Sequence, residues 1–244
     1  MNYISLGYFC SVAMELERMG LRNESSPFDW VISDFEGVIT VIENHFKDFL
    51  NYDDLSQNKN SREVYKNTKY NIRFYHDFDK YISLNEQLPM VQEKYTRRIE
   101  RFYRVIESPT LFIRYISDRE CDEEKSKELI WIENNYDKII SLIKSFNKDN
   151  DILFIANEGV TSDKFLIYNV PKDKDDVVAR SPIHKNPTLF KQFSNVDFPN
   201  RQMNINRYAQ KEKKKNSIYN RMVKKIKAAL KAKIRKEYVH TNQY

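Results

Sequence analysis

Glycine is scarce in this chain, with four in 244 residues. Loops that wrap a phosphate in backbone amides use several glycines close together, so the scarcity argues against that class of site. Cysteine is scarcer still. Cys10 and Cys121 are the two, too few for a disulfide framework and too far apart for a C-x-x-C pair. Simple zinc and thioredoxin-type readings are thereby removed, and nothing else calls for a metal or a cofactor. No arginine stands six positions after Cys10 and no G-x-C-x-G elbow surrounds it, which excludes the phosphatase loop and the hydrolase elbow. No apolar run approaches the roughly 18 residues of a membrane-spanning helix. No charged segment followed by an apolar one opens the chain, so no secretory signal is read. The expected compartment is the cytoplasm, with both thiols reduced.

What is present is a folding composition: 41% hydrophobic residues with 16 Tyr and 15 Phe, and 31% charged residues that imply long helices with polar faces. The net charge of +6 conceals an asymmetry. Residues 201–244 hold 14 Lys and Arg against two Glu, a net +12, while the other 200 residues hold 27 basic and 33 acidic side chains, a net −6. The chain thus divides into an acidic domain over 1–200 and a basic tail over 201–244. In the tail Ile218, Met222, Ile226, Leu230 and Ile234 recur every four residues among lysines, the pattern of a basic amphipathic helix. Its expected partner is an anionic membrane surface at the inner face of the membrane. Nucleic acid is disfavoured, because the domain is itself acidic and Tyr219 and Tyr238 are the only aromatic residues of that helix to offer rings for stacking.

The N-terminal stretch carries the chemistry. Tyr3-Ile4-Ser5-Leu6 reads as a strand stopped by Gly7, and Val12, Ala13, Leu16 and Met19 mark one face of a helix ended by Gly20 in a left-handed conformation. Cys10 stands where that helix begins. The positive end of the helix dipole favours a thiolate there, and the thiolate is the nucleophilic form.

Ser5-Leu6-Gly7, Cys10, Ala13, Leu16, Arg22 and Ser26-Pro27-Phe28-Asp29-Trp30 resemble the opening signature of a bacterial family of unknown function labelled as papain-like cysteine peptidases. Phe74-Tyr75-His76-Asp77-Phe78 and residues 94–102 fit the same pattern, so that the resemblance covers about residues 1–160. It implies a Cys–His nucleophilic site.

Along the chain, a capping-box pattern at Ser33–Glu36 opens a helix expected to reach about Leu50. Residues 64–78 read as extended, with Ile72, Phe74, His76 and Phe78 alternating on one face. A long amphipathic helix is expected after Pro89, strands at 110–114, 151–157 and 165–169, and a helix over 122–146. Strands apolar on both faces and alternating with helices predict an α/β fold with a mostly parallel central sheet flanked by helices. A strict papain-like α+β architecture, with an antiparallel sheet set apart from its helices, is the alternative. In the α/β case the carboxyl ends of the strands share one rim, where Cys10, His76, Arg114 and Asn157 would gather. Residues 171–200, with four of the seven prolines, read as a lid or a loose connection.

Four histidines can serve the thiol. His240 lies in the tail, His184 in a proline-flanked segment, and His45 beside a helix stripe as a packed residue, which leaves His76 as the expected base. Asn157 completes a Cys…His…Asn order, Asp29 in its proline-started turn is the competing third member, and Asp77 is expected to face away. Arg101 and Arg114, with Asp29, are the expected substrate contacts, the arginines for a carboxylate or phosphate. The leading function is a cysteine-dependent acyl-transfer hydrolase of unknown substrate. A phosphate- or sugar-nucleotide-binding transferase or module of glycan assembly is the second, and a non-enzymatic adaptor docked through the tail is the third.

Overall fold

The computed structural model describes residues 1–57, 65–117 and 125–170, together with the backbone of 121–122. The lid segment, the tail, the boundary between domain and tail, His184, His240 and the side chain of Cys121 lie outside the described residues.

The central sheet is parallel, as the alternation of strands and helices predicts. Strands β1 (Asn2–Ser5), β6 (Thr110–Tyr115), β9 (Asp151–Asn157) and β10 (Ile167–Val170) lie in that order. The register sets Ile4 beside Phe112 and Phe112 beside Ile152. Because side chains alternate, this row faces one core, shared with helices α2 (Phe35–Glu43), α3 (Leu84–Ile106) and α4 (Lys127–Phe146). Tyr3, Ile113, Tyr115, Leu153 and Ile155 face the other, where helix α1 (Ser11–Arg18) supplies Val12 and Leu16. Both faces are buried, which is why these strands read as continuous apolar runs.

A second, antiparallel sheet was not anticipated. Strands β2 (Val31–Ser33), β3 (Leu55–Gln57), β4 (Tyr65–Asn67) and β5 (Ile72–Phe74) pair in the order β2-β5-β4-β3. The extended run expected over 64–78 is a hairpin that turns at Asn71, whose φ is +52°. Its aromatic floor joins Phe28, Phe46, Phe49, Phe74, Tyr95 and Phe102, with neighbouring ring centres 5.4 to 5.9 Å apart. A two-residue pair, β7 (Cys121–Asp122) with β8 (Lys125–Ser126), leads into α4.

Four helix boundaries differ from expectation, the first being that α4 begins at Lys127 rather than at Asp122, which pairs in β7 instead. Ser33 belongs to β2 and Asp34 is the N-cap of α2, so the capping box read there does not form. That helix stops at Glu43 rather than near Leu50, because His45, Phe46 and Asp48 take positive φ values of 51°, 58° and 60°. A capping box does form at Ser83 with Glu86, which starts α3 five residues before Pro89 and leaves the proline inside the helix.

Candidate functional site

The turn after β1 is built around Gly7. Ser5 Oγ accepts a hydrogen bond from the Gly7 N–H at 3.2 Å, and Gly7 takes φ +82°. A Cβ at that position would fall 2.7 Å from Ser33 Oγ and 3.3 Å from Arg114 Nη1, so only glycine fits. The chain then reaches Cys10, a half-buried thiol outside any disulfide, at the N-cap of α1. Its carbonyl accepts from the Met14 N–H at 2.9 Å. No side chain caps this helix, and the first-turn amides of any helix lack intrahelical acceptors. Beside them, Ser11 is 3% exposed and its buried hydroxyl has no hydrogen-bond partner. At the other end Gly20, with φ +70°, closes the helix: its N–H reaches Glu17 O and that of Leu21 reaches Leu16 O.

His76 is not on the buried face of a strand. β5 ends at Phe74, and residues 75–77 form a bend that turns His76 outward, its ring set edge-on to Trp30 at 5.9 Å. The alternation breaks because the strand stops two residues early. The bend nevertheless reaches toward the thiol's turn, since Tyr75 packs edge-on against Phe9 at 5.9 Å. Asp77, expected to face away, has its side chain buried. It accepts hydrogen bonds from Lys94 and, at 2.9 Å, from the Tyr95 hydroxyl. Burial, with the Asp77 charge next, pushes the Tyr95 phenol well above its ordinary range. His45 is exposed beyond the end of α2, against Tyr103, rather than packed inside a helix.

Asp29 is fully enclosed in the turn that its proline starts. Its Oδ2 accepts from Arg22 Nε at 2.8 Å and from the Ser26 N–H at 2.9 Å. Burial raises its carboxyl above the usual carboxylate range, against the opposing effects of Arg22, the Ser26 N–H and Arg98. Asn157 ends β9, and its Oδ1 accepts from the Tyr115 hydroxyl at 2.6 Å while Tyr115 stacks on Tyr8. Asn157 also lines a cavity of about 220 Å³ at the carboxyl ends of β6 and β9, with Ser117, Ser126, Gly159 and Thr161. Cys10 does not line it.

The expectation that Arg114 meets substrate is corrected by its hydrogen bonds. It is 0% exposed and every guanidinium N–H is engaged. Nε and Nη2 fork onto Glu128 at 2.9 and 2.6 Å, Nη1 reaches Leu6 O and Ser33 Oγ, and Nη2 also reaches Ser33 O. Glu128 further accepts from the N–H groups of Phe35 and Ser117. This junction ties β1, β2, β6, α2 and α4 together and has no donor left for a ligand. Nothing in the sequence singled out Glu128, since an acid in a first helical turn is an ordinary feature, and Ser33 stood out only as a helix cap. Arg101, by contrast, has a buried Nε without any acceptor. Among the described residues no group of three His, Cys, Asp or Glu side chains could hold a metal ion. Nor is any helix there long and apolar enough to cross a membrane.

Residues 1–158 match the profile of the family described as "Putative papain-like cysteine peptidase (DUF1796)". The chain belongs to that family. It is also 31% identical over 176 residues to "Uncharacterized protein R408" of Acanthamoeba polyphaga mimivirus, a match covering 64% of this chain and 77% of the viral protein. That relative is viral, so the comparisons do not support the bacterial origin expected from the signature. No solved structure matches the chain.

Proposed function

We propose that the chain is a cysteine-dependent acyl-transfer hydrolase of papain-like chemistry, with Cys10 as nucleophile. The observation that carries the reading is a half-buried thiol, not in a disulfide, at the uncapped start of α1, beside the unengaged hydroxyl of Ser11. In this reading the thiolate adds to a carbonyl carbon, and the first-turn amides with the Ser11 hydroxyl stabilise the oxyanion. His76 takes the thiol proton and returns it to the leaving group, and water then hydrolyses the thioester. Asn157, on the rim formed by the strand ends, is assigned as the orienting partner of the imidazole. The bend that carries His76 supports its role by packing Tyr75 on the residue before Cys10.

Iodoacetamide labelling across pH tests the assignment. Cys10 is expected to react where an ordinary thiol, with pKa near ~8.5, is still protonated. Cys10→Ala should abolish that labelling with the melting temperature preserved, and His76→Ala should move the labelling to higher pH. An ordinary thiol profile in the parent chain would remove the nucleophile. The reading that remains would be a phosphate- or sugar-nucleotide-binding module, which the unengaged arginine on α3 favours.

A second reading concerns the tail and rests on its net charge of +12. It would hold the protein on an anionic membrane surface at low salt, at about 1 kcal/mol for each engaged Lys or Arg. The full chain should co-sediment with anionic vesicles and be released by salt, and a chain ending at Pro199 should not. Equal sedimentation of the two would return the tail to a solvated role.

A further inference from the structure

The face of α3 that lies against the turn at residues 22–30 carries a series of cations, and their partners can be followed one by one. Arg104 pairs with Glu24 at 3.0 Å. Arg22, which reaches up from that turn, pairs with Asp29 and with Glu17, each at 2.8 Å. Lys94 pairs with Asp77, and Tyr95 takes the second oxygen of that carboxylate. Arg97 points outward to Glu93.

Two guanidinium groups remain, one helical turn apart. Arg98 is 9% exposed, stands over the Tyr95 ring at 5.1 Å, and comes no closer than 3.9 Å to an Asp77 already engaged by Lys94 and Tyr95. Its buried Nη1 has no hydrogen-bond partner. Arg101 makes no ion pair or hydrogen bond to any described residue, and its Nε is enclosed without an acceptor. A buried guanidinium without acceptors is costly, and a fold keeps one where something else supplies the acceptors.

We propose that Arg98 and Arg101 form a binding site for a phosphate group. Arg98 shares the Asp77 carboxylate, 3.9 Å away, with Lys94 and Tyr95, and Arg101 has no ion pair among the described residues, so the two charges are only partly balanced. The forked N–H groups of each guanidinium suit the tetrahedral oxygens of a phosphate. Tyr95 braces Arg98 from beneath, and Lys94 keeps the Asp77 carboxylate from competing for it. Asp29 and Asp77, the carboxylates near Arg98, are already hydrogen-bonded to Arg22 and to Lys94 and Tyr95. The bend at residues 75–77 links this face to the turn of Cys10, through Asp77 on one side and Tyr75 on the other. The site does not depend on Cys10 being a nucleophile, and a phosphate-bearing substrate would suit either function proposed above.

Thermal unfolding of the full chain tests it, with inorganic phosphate compared with chloride at equal ionic strength. At about ten times the dissociation constant, phosphate should raise the melting temperature by about 3–6 °C for a chain of this size. Arg101→Gln, half-exposed and safe for folding, should lose the rise. Arg98→Lys, which keeps the charge but loses the fork, should reduce it, and Arg97→Gln and Cys10→Ala should keep it. A sugar phosphate in a parallel arm identifies the source. A rise equal to that with inorganic phosphate supports a site for the bare group, and a larger rise supports a site for its ester. No rise with either, the same rise with acetate, or a rise that persists in Arg101→Gln would overturn the proposal. Persistence would place the phosphate elsewhere, as on the basic tail.

Discussion

Arg114 and Arg98 are both buried arginines, and they sit in opposite circumstances. Arg114 stands at the meeting of two sheets and two helices, with all its donors engaged by Glu128, Ser33 and Leu6. Arg98 lies on one face of α3, with a single 3.9 Å approach to a carboxylate already engaged by Lys94 and Tyr95. Burial alone would give the two residues the same role. Accounting for donors separates them: a fully engaged buried arginine holds the fold together, and an unengaged one awaits an acceptor. Arg22 is intermediate, with its donors shared among Asp29, Glu17 and Ser25 and its guanidinium 5.4 Å from the centre of the Trp30 ring.

The largest effect should come from Arg114→Gln. It leaves Glu128 as an uncompensated buried charge and should lower stability by about 3–5 kcal/mol in urea unfolding. Arg98→Gln should cost about 1 kcal/mol or less in the absence of phosphate, because it removes a charge with little to balance it. Equal losses at both positions would break the comparison. Next in size is Gly7→Ala, which forces a Cβ onto Ser33 Oγ at a positive φ and should cost about 1–3 kcal/mol. A smaller loss would mean that the Arg114 junction yields more readily than its hydrogen bonds imply.

The smallest effect is a pH dependence at Asp29, the partner of the intermediate arginine. Burial raises its folded-state pKa above the unfolded value. Its contribution to stability is therefore fully present below the unfolded value near ~3.9, and is lost as pH rises through the raised folded value. Unfolding of Asp29→Asn and the parent chain, compared from pH 7 downward, should show the parent gaining relative to the variant as the acid side is approached. A parent that instead loses stability relative to the variant toward acid would mean that Arg22 outweighs burial and that Asp29 is held ionised.

Much of the fold was legible in the sequence because local pattern and global burial agree. β1, β6 and β9 are short runs apolar on both faces, as strands covered on both sides must be, and α1 has its left-handed stop at Gly20. Legibility failed where a residue had two local uses. Ser33 suits a helix cap, but Arg114, 81 positions away, engages its hydroxyl and carbonyl and keeps it in β2. His76 follows an alternating pattern, but its strand ends at Phe74 and the pattern continues by coincidence through a bend.

By itself the sequence determined the α/β class, the thiol at the start of a helix and the crowding of arginines on α3. Each of these rests on periodicity or spacing within a few turns, where neighbours in sequence are neighbours in space. Only the tertiary structure decided which arginine is engaged and which is not. Arg98 and Arg101 are three residues apart on one helix, and Arg114 lies a strand away. Their acceptors come from residues 6, 33, 77 and 128, brought together by sheet order and helix packing rather than by sequence. A guanidinium's role depends on which acceptors reach it, and that is a property of the assembled core.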